Sequence, residues 1–239
     1  MTLLLIDIGN TRLKWGLAEN GKLIAGQAVA HQQANRQDLI EAWQSLPTPD
    51  QVIISCVGAK QQLESVGWAV SRLWSKVRIK LAKSQAHAFG VRNAYLEPET
   101  LGTDRWLALI AARQHYPGPV CIADCGTAVT VDMMGADGCH SGGLICPGIT
   151  LMKKSLASGT EALEFDSRSY AIGPAKCTDA AIYNGTLWAV LGLIKYCLGK
   201  NSNMHLILTG GDAQLIAKQL DFEPIIDTDL VLRGLALLA

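Results

Sequence analysis

Near its start the chain carries an apolar run, Leu3-Leu4-Leu5-Ile6, which Asp7 closes. A run this short, bounded by glycine and asparagine, reads as a buried strand. The same logic predicts three strands in succession: Leu3–Ile8, Leu13–Ala18 beyond Gly9-Asn10-Thr11, and Lys22–Val29 beyond Asn20-Gly21. Asn-Gly between apolar runs marks a tight hairpin, because both residues tolerate positive φ. The pattern returns at Val120–Asp124, Ala128–Met133 and Cys139–Ile145, with Gly126-Thr127 at the first turn and Asp137-Gly138 at the second. Asp7 lies two residues before Gly9 and fourteen before Gly21, and Asp124 stands at the same distances from Gly126 and Gly138. The chain therefore reads as a duplicated unit with a period of 117 residues, each copy opening with a strand that ends in Asp-x-Gly and folds straight back in the same register.

Between the copies, Gln33–Leu46 has helical periodicity and stops before Pro47, Val52–Cys56 is a buried strand, Gln61–Ser75 a second helix and Arg78–Ala82 a further strand. Leu101-Gly102-Thr103-Asp104-Arg105 opens a helix with Trp106, Leu109 and Ile110 on one face, and Pro117-Gly118-Pro119 ends it. That breaker sets the expected division into an N-terminal half, residues 1–116, and a C-terminal half, residues 117–239. The second half carries a long apolar helix, Thr178–Leu198, and a strand, His205–Leu208, that runs into Thr209-Gly210-Gly211. Strands alternating with helices define an α/β protein. The stretch Gly159–Gly173 carries no readable pattern.

Composition narrows the function classes. The 239 residues carry 21 basic and 21 acidic side chains, so the net charge is zero and no general electrostatic footprint for nucleic acid or anionic lipid is expected. Charged residues make up 18% against 49% apolar, which points to surface hidden in an oligomer. The longest apolar run, Leu187 to Ile194, is too short to span a membrane, and no basic region precedes the first apolar run as a secretory signal would require, so a cytoplasmic protein is expected. Seven cysteines without a C-x-x-C pair suit reduced thiols, and the spacings of Cys121, Cys125, Cys139 and Cys146 match no zinc template.

A strand ending in Asp-x-Gly-Asn-Thr offers backbone N–H groups made approachable by Gly9, with the side chains of Asn10 and Thr11 beside them. Such a turn suits phosphate, while Asp7 supplies the hard oxygen a Mg²⁺–phosphate prefers and Lys14 a point charge. Either turn alone is ordinary turn chemistry. Two in matched register, Asp7–Thr11 and Asp124–Thr127, read as a pair gripping one polyphosphate. No G-x-x-x-x-G-K-[S/T] and no G-x-G occurs, which removes the P-loop and the dinucleotide fingerprint. Thr209-Gly210-Gly211-Asp212 reads either as a plain connector or as bare backbone for a base or ribose. Gly102-Thr103-Asp104-Arg105 likewise has two readings. In one, Thr103 caps the helix and Asp104 favours its dipole. In the other, Asp104, kept ionised by that dipole and by Arg105, accepts a hydrogen bond from a substrate hydroxyl while Arg105 holds an anion in its planar fork. For phosphoryl transfer a weak base suffices, because the transition state is loose and in-line positioning dominates.

Taken together, Asp7-Ile8-Gly9-Asn10-Thr11 with Lys14, Gly102-Thr103-Asp104-Arg105, Asp124-Cys125-Gly126-Thr127-Ala128 with Thr130 and Asp132, Gly142–Gly148, and Thr209-Gly210-Gly211 resemble type III pantothenate kinase. The resemblance implies a duplicated actin-like, ribonuclease H-like ATPase fold with the nucleotide cleft between two related halves. It implies transfer of the ATP γ-phosphoryl to the primary hydroxyl of pantothenate, giving 4′-phosphopantothenate in the first step of coenzyme A synthesis. By that resemblance ATP is bound by Asp7, Ile8, Gly9, Asn10, Thr11, Arg12, Leu13, Lys14, Thr127, Gly210 and Gly211. Asp104 is the proton acceptor, and Tyr95, Gly102, Thr103, Asp104 and Arg105 form the pantothenate pocket. Asp124 is similar to the ligand of a monovalent cation, K⁺ or NH₄⁺, required beside Mg²⁺. Thr178 is similar to a threonine that reaches the pocket from the second subunit of a homodimer, and Gly142–Gly148 is either interface or a tight strand exit. Another kinase of the same fold, or a non-catalytic regulatory relative, would share the nucleotide turns. The helix start separates the first, and the presence of Asp7, Asp104 and Asp124 argues against the second.

Overall fold

The computed structural model describes residues 1–30, 34–58, 60–160, 163–199 and 203–239. Its contacts divide the chain into two units, residues 1–117 with 229–239 and residues 118–228.

The first unit opens with β1 (Thr2–Ile8), β2 (Arg12–Glu19) and β3 (Lys22–Ala30), an antiparallel meander. Asn20 and Gly21 both take positive φ in the second turn, as the Asn-Gly pair predicts. α1 (Arg36–Trp43), β4 (Gln51–Cys56), α2 (Lys60–Leu73) and β5 (Arg78–Leu81) follow as right-sized crossover pieces, and β4 and β5 add to β1 in parallel. The sheet order is β3-β2-β1-β4-β5. A short hairpin of β6 (His87–Ala88) and β7 (Val91–Arg92) leads to α3 (Thr103–His115). The sequence pattern starts the first helix at Gln33, which lies outside the described residues. The helix begins at Arg36 because Asn35 caps it, accepting from the backbone of Gln37 and Asp38 at 2.8 and 3.1 Å while the Asp38 carboxylate accepts from Asn35 N–H.

The second unit repeats that topology. β8 (Val120–Cys125), β9 (Ala128–Met134) and β10 (His140–Pro147) form the meander. α4 (Ile149–Gly159) and α5 (Thr178–Gly199) lead to β11 (His205–Thr209), α6 (Ala213–Ala217) and β12 (Ile225–Ile226), giving the order β10-β9-β8-β11-β12. The chain then returns to the first unit as α7 (Leu230–Ala236). The halves read from sequence put this last segment in the second half. It packs with the first instead because Gly234 lets α7 approach α3 so closely that a Cβ there would lie 2.3 Å from the Leu107 carbonyl oxygen.

In the first unit Leu4, Ile6, Ile8, Val52 and Ile54 bury one sheet face against Leu39 and Trp43 of α1 and Val66 and Val70 of α2. α3 and α7 contact β4 and β1. In the second unit Ala123, Val129, Val131 and Leu208 of the sheet pack against Ile149 of α4 and Leu187, Val190 and Ile194 of α5. α5 is the one helix among the described residues long and apolar enough to cross a membrane. Uninterrupted apolar runs do not reveal it, because Asn184, Thr186 and Lys195 break the run while the helix continues. Tyr183, Asn184 and Thr186 are buried within the unit, whereas Trp188 and Tyr196 are exposed.

Equal spacing of the two Asp-Gly hairpins conceals a difference, so the expected identity of register does not hold. Ile8 pairs with Leu13 and leaves a four-residue first turn, whereas Cys125 pairs with Val129 and leaves three. The second connection compensates: Glu19 pairs with Lys22 across two residues, while Met134 pairs with His140 across five.

Candidate functional site

Asp7 sits one residue before the end of β1. It is paired with Lys14 on one side and Ser55 on the other. Residues paired across strands share a sheet face, so Lys14, Asp7 and Ser55 form a row across β2, β1 and β4, opposite the face that carries Ile6, Ile8 and Ile54 into the core. Lys14 Nζ lies 2.7 Å from Asp229 Oδ1 at the start of α7. The point charge expected for phosphate is thus anchored by a carboxylate from the far end of the chain.

Asn10, Thr11 and Arg12 are exposed at the turn, while the side chains of Ile8 and Leu13 are wholly buried. Those two can offer a ligand only backbone. The Gly9 N–H, expected to be available to phosphate, donates to Arg12 O at 3.0 Å and closes the turn. Gly126 N–H does the same to Ala128 O at 3.1 Å. Gly58, just beyond β4, has φ +90°, and a Cβ there would lie 3.6 Å from Asn10 Oδ1, so the end of β4 abuts this turn.

The acceptor residues come together within the first unit. Arg105, 6% exposed, donates through Nη1 to Tyr95 Oη at 2.7 Å, and its Cζ lies 5.6 Å from the Tyr95 ring centroid. Tyr95 is fixed by its N–H donating to Asn93 Oδ1 at 3.0 Å, while Asn93 Nδ2 ties to Gln85 O and Pro98 O. Ser84 Oγ, also buried, donates to Leu101 O at 2.8 Å. Of the two readings of this turn, the one that makes Thr103 the helix cap does not hold: Gly102 takes that position and no side chain caps the helix. Asp104 Oδ1 instead accepts from Arg105 N–H at 2.8 Å and folds back over Gly102, where a Cβ would meet it at 2.6 Å. Glycine at 102 is what lets this carboxylate lie against the helix start, where the backbone dipole favours its charge.

In the second unit the Asp124 turn is clamped between two glycines. At Gly210, φ +86°, a Cβ would fall 2.4 Å from Asp124 Oδ1 and 2.6 Å from Cys125 O. At Gly148 it would fall 2.1 Å from Gly126 O, and Gly148 N–H donates to Thr127 O at 2.9 Å. Asp212 N–H donates to Cys125 O at 2.9 Å. Asp124, Thr127, Gly210 and Gly211 are thus neighbours through two backbone segments in near contact. Burial, with Asp124 and Asp212 beside it, pushes the Cys125 thiol well above its usual range, so it stays protonated. Asp132 and His140 are both buried, Oδ1 to Nε2 2.9 Å.

Thr178 opens α5, exposed, on the rim of an apolar groove of about 640 Å³ lined by Met152, Leu156, Ile182 and Thr186. The segment before it, residues 163–177, holds no helix or strand but is pinned. Lys153 Nζ donates to Asp166 O at 2.6 Å, Arg168 Nε to the Asp166 carboxylate at 3.0 Å, and Asn184 Nδ2 to Ala171 O at 3.0 Å. Tyr170 Oη also donates to Asp166. Of Gly142–Gly148, Leu144 and Ile145 are exposed and Gly148 is buried on the Asp124 turn. Sequence reasoning missed Ser55, Asp229 and the role of Gly148. Only Gly148 left a signal, its place in the quoted glycine motif.

A family model for type III pantothenate kinase matches residues 3–200. A type III pantothenate kinase of Nitrosococcus oceani is 36% identical over 249 residues, covering 99% of this chain and 93% of that protein. One of Dechloromonas aromatica is 37% identical over 242 residues, covering 98% and 97%. Among solved structures, the activator of the 2-hydroxyisocaproyl-CoA dehydratase from Clostridium difficile with bound ADPNP superposes with a TM-score of 0.59 at 13% identity, covering 100% of this chain and 94% of that one. At that identity it speaks for the fold, which is the two-halved actin-like ATPase fold.

Proposed function

The chain belongs to the type III pantothenate kinase family, and from that membership we infer that it phosphorylates pantothenate at the expense of ATP in the synthesis of coenzyme A. The observation that carries the reading to the residue level is the convergence of Tyr95, Asp104 and Arg105 at the start of α3. In this reading the Asp104 carboxylate accepts a hydrogen bond from the pantothenate hydroxyl, orients it in line with the γ-phosphorus and takes its proton late. Arg105, braced by Tyr95, presents its planar guanidinium to the pantothenate carboxylate. Thr103 and the backbone at Gly102 complete that pocket.

ATP falls to the turn from Asp7 to Lys14, to Thr127 and to the Gly210-Gly211 turn. The residues fit the implied ions. Asp7 offers a hard carboxylate oxygen suited to Mg²⁺ carried by ATP, directly or through water. Asp124 Oδ1 and Cys125 O lie side by side against the bare backbone of Gly210, and a carboxylate and a carbonyl oxygen are donors suited to a monovalent cation. When bound, such ions neutralise charge on the phosphates. We place the pantothenate site at a homodimer contact to which Thr178 of the second copy contributes. The exposed Leu144, Ile145, Leu151, Trp188 and Tyr196 of the second unit support that contact. A cytoplasmic setting agrees with seven cysteines that form no disulfide.

The test is direct: purified protein with ATP, Mg²⁺ and pantothenate, and Na⁺ or K⁺ as the only alkali cation. Phosphopantothenate formed with K⁺ and scarcely with Na⁺ supports the whole reading. Equal rates remove the monovalent cation from Asp124, and no product with either removes the activity.

A further inference from the structure

Ser55 is wholly buried, and its hydroxyl has no hydrogen-bond partner among the described residues. It follows Val52, Ile53 and Ile54, all equally buried, near the end of an interior strand of the first unit's sheet. An orphaned hydroxyl in such a place is destabilising, since it gives up water and receives nothing in return. The indole N–H groups of Trp43 and Trp106 are orphaned too. There a large ring buries enough apolar surface to offset the loss. A serine has no such compensation, so an alanine of nearly the same shape would fold better at position 55.

The register shows where the hydroxyl lies. Ser55 is paired with Asp7 and shares its sheet face, one strand away, at the C-terminal ends of two adjacent parallel strands. Ligands of open α/β sheets gather at that end of the strands. Glycine turns follow both strands, and Gly58 after β4 sits against Asn10 of the turn after β1. An oxygen seated at the Asp7 carboxylate would therefore be flanked by Lys14 on one side and Ser55 on the other.

We propose that Ser55 is an additional nucleotide-binding residue, whose hydroxyl donates a hydrogen bond to an oxygen of the magnesium–phosphate group held at Asp7. Its partner is supplied by the ligand, a phosphate oxygen or a metal-bound water, and the apo protein carries the unpaired hydroxyl as a cost of binding. The inference rests on the reading that the Asp7 turn takes the ATP phosphates.

The experiment combines thermal unfolding with calorimetric binding of a non-hydrolysable ATP analogue, with and without Mg²⁺, on wild type, Ser55→Ala, Ser55→Cys and Asp7→Asn. Ser55→Ala should melt at or above the wild-type temperature without nucleotide, yet bind the Mg²⁺–analogue about 10-fold more weakly, as loss of one hydrogen bond to a charged group implies. Ser55→Cys, of similar shape but a weaker donor, should fall between. Weakening that appears only with Mg²⁺ assigns the partner as metal-bound water; weakening in both conditions assigns a phosphate oxygen. A Ser55→Ala protein that melts lower without nucleotide, or binds the analogue as wild type does, overturns the proposal. If Asp7→Asn abolishes binding while Ser55→Ala does not, only this inference fails. If Asp7→Asn binds normally, the placement of ATP at that turn fails and this inference falls with it.

Discussion

Arg105 of α3 donates to the phenol oxygen of Tyr95, from the loop after β7, at 2.7 Å, and its guanidinium carbon stands 5.6 Å from the ring centroid. One tyrosine thus engages the arginine through hydroxyl and ring, holding a side chain that is almost fully buried. A planar fork held this way loses little freedom when it meets an anion. Asp104, the neighbouring residue, is held by a different device, the Arg105 N–H and the bare backbone of Gly102. Carboxylate and guanidinium are thus held by different contacts, and their contributions should separate in kinetics.

Asp104→Asn keeps the shape and removes the charge. Turnover should fall by about 10²-fold or more, the usual scale for a general base, with the ATP KM little changed. Steady-state kinetics in both substrates check this, and near-normal turnover would remove Asp104 from the reaction.

Arg105→Lys keeps the charge and loses the fork. The pantothenate KM should rise by at least about 10-fold, on the scale of a lost charge-assisted hydrogen bond, while the ATP KM stays within about twofold. Tyr95→Phe removes only the brace and should give a smaller rise in the same constant. If the ATP KM moves equally in either variant, Arg105 is not the anion clamp.

Much of this was legible in sequence because local chemistry decides it. Asn20-Gly21 dictates its hairpin, and the alternation of apolar runs with helical stretches dictates an α/β chain. What stayed hidden depends on pairing between distant segments. Ser55 is an ordinary polar residue in an apolar run until β4 is laid beside β1 in one particular register. Asp229 pairs with Lys14 only because α7 returns to the first unit, which no local pattern announces. Thr103 looks like a better cap than Gly102 by propensity, yet the folded-back Asp104 carboxylate needs the missing Cβ at 102. The two Asp-Gly hairpins matched in spacing and still differ by one residue in the first turn, because spacing sums a turn, a strand and a second loop.

Gly210→Ala tests the clamp around Asp124. The new methyl would fall 2.4 Å from Asp124 Oδ1 and 2.6 Å from Cys125 O, at a φ of +86° that alanine resists. Backbone on one side cannot yield as a flexible side chain would. Overpacking and strain together should destabilise by roughly 3 kcal/mol, lowering Tm by roughly 6–12 °C for a chain of this size. Activity remaining below the melting point should lose its preference for K⁺ over Na⁺. An unchanged cation preference would separate the glycine turn from the ion.

Stability should decline on the alkaline side for a specific reason. Burial, together with Cys197 and Asp132 nearby, pushes the Cys121 thiol up from 9.0 to about 12. Folding therefore favours the protonated form, so the contribution is complete below pH 9 and disappears as pH rises toward 12. The Tyr170 hydroxyl, raised from 10.0 to about 12 by its bond to Asp166, acts in the same direction. Unfolding midpoints in denaturant should fall across pH 9–12, and Cys121→Ala, though less stable throughout, should show a shallower fall. An equal slope in wild type and variant would show that this thiol does not govern the alkaline limb.

Thr178 provides the test of a site shared between subunits. It is exposed at the start of α5, at the end of a segment whose irregular backbone is pinned by Lys153, Asp166 and Asn184. A side chain presented so deliberately, with no role in its own unit's core, is suited to completing a pocket on another copy. Thr178→Ala alone should raise the pantothenate KM more than the ATP KM, and Asp104→Asn alone should abolish most turnover. In a mixture of the two variants, random pairing gives heterodimers in which one site carries both substitutions and the other neither. About a quarter of wild-type turnover should then return in an equal mixture in which subunits exchange freely. If each site is built from one chain, every site carries one substitution, and the mixture shows only the average of the two parents.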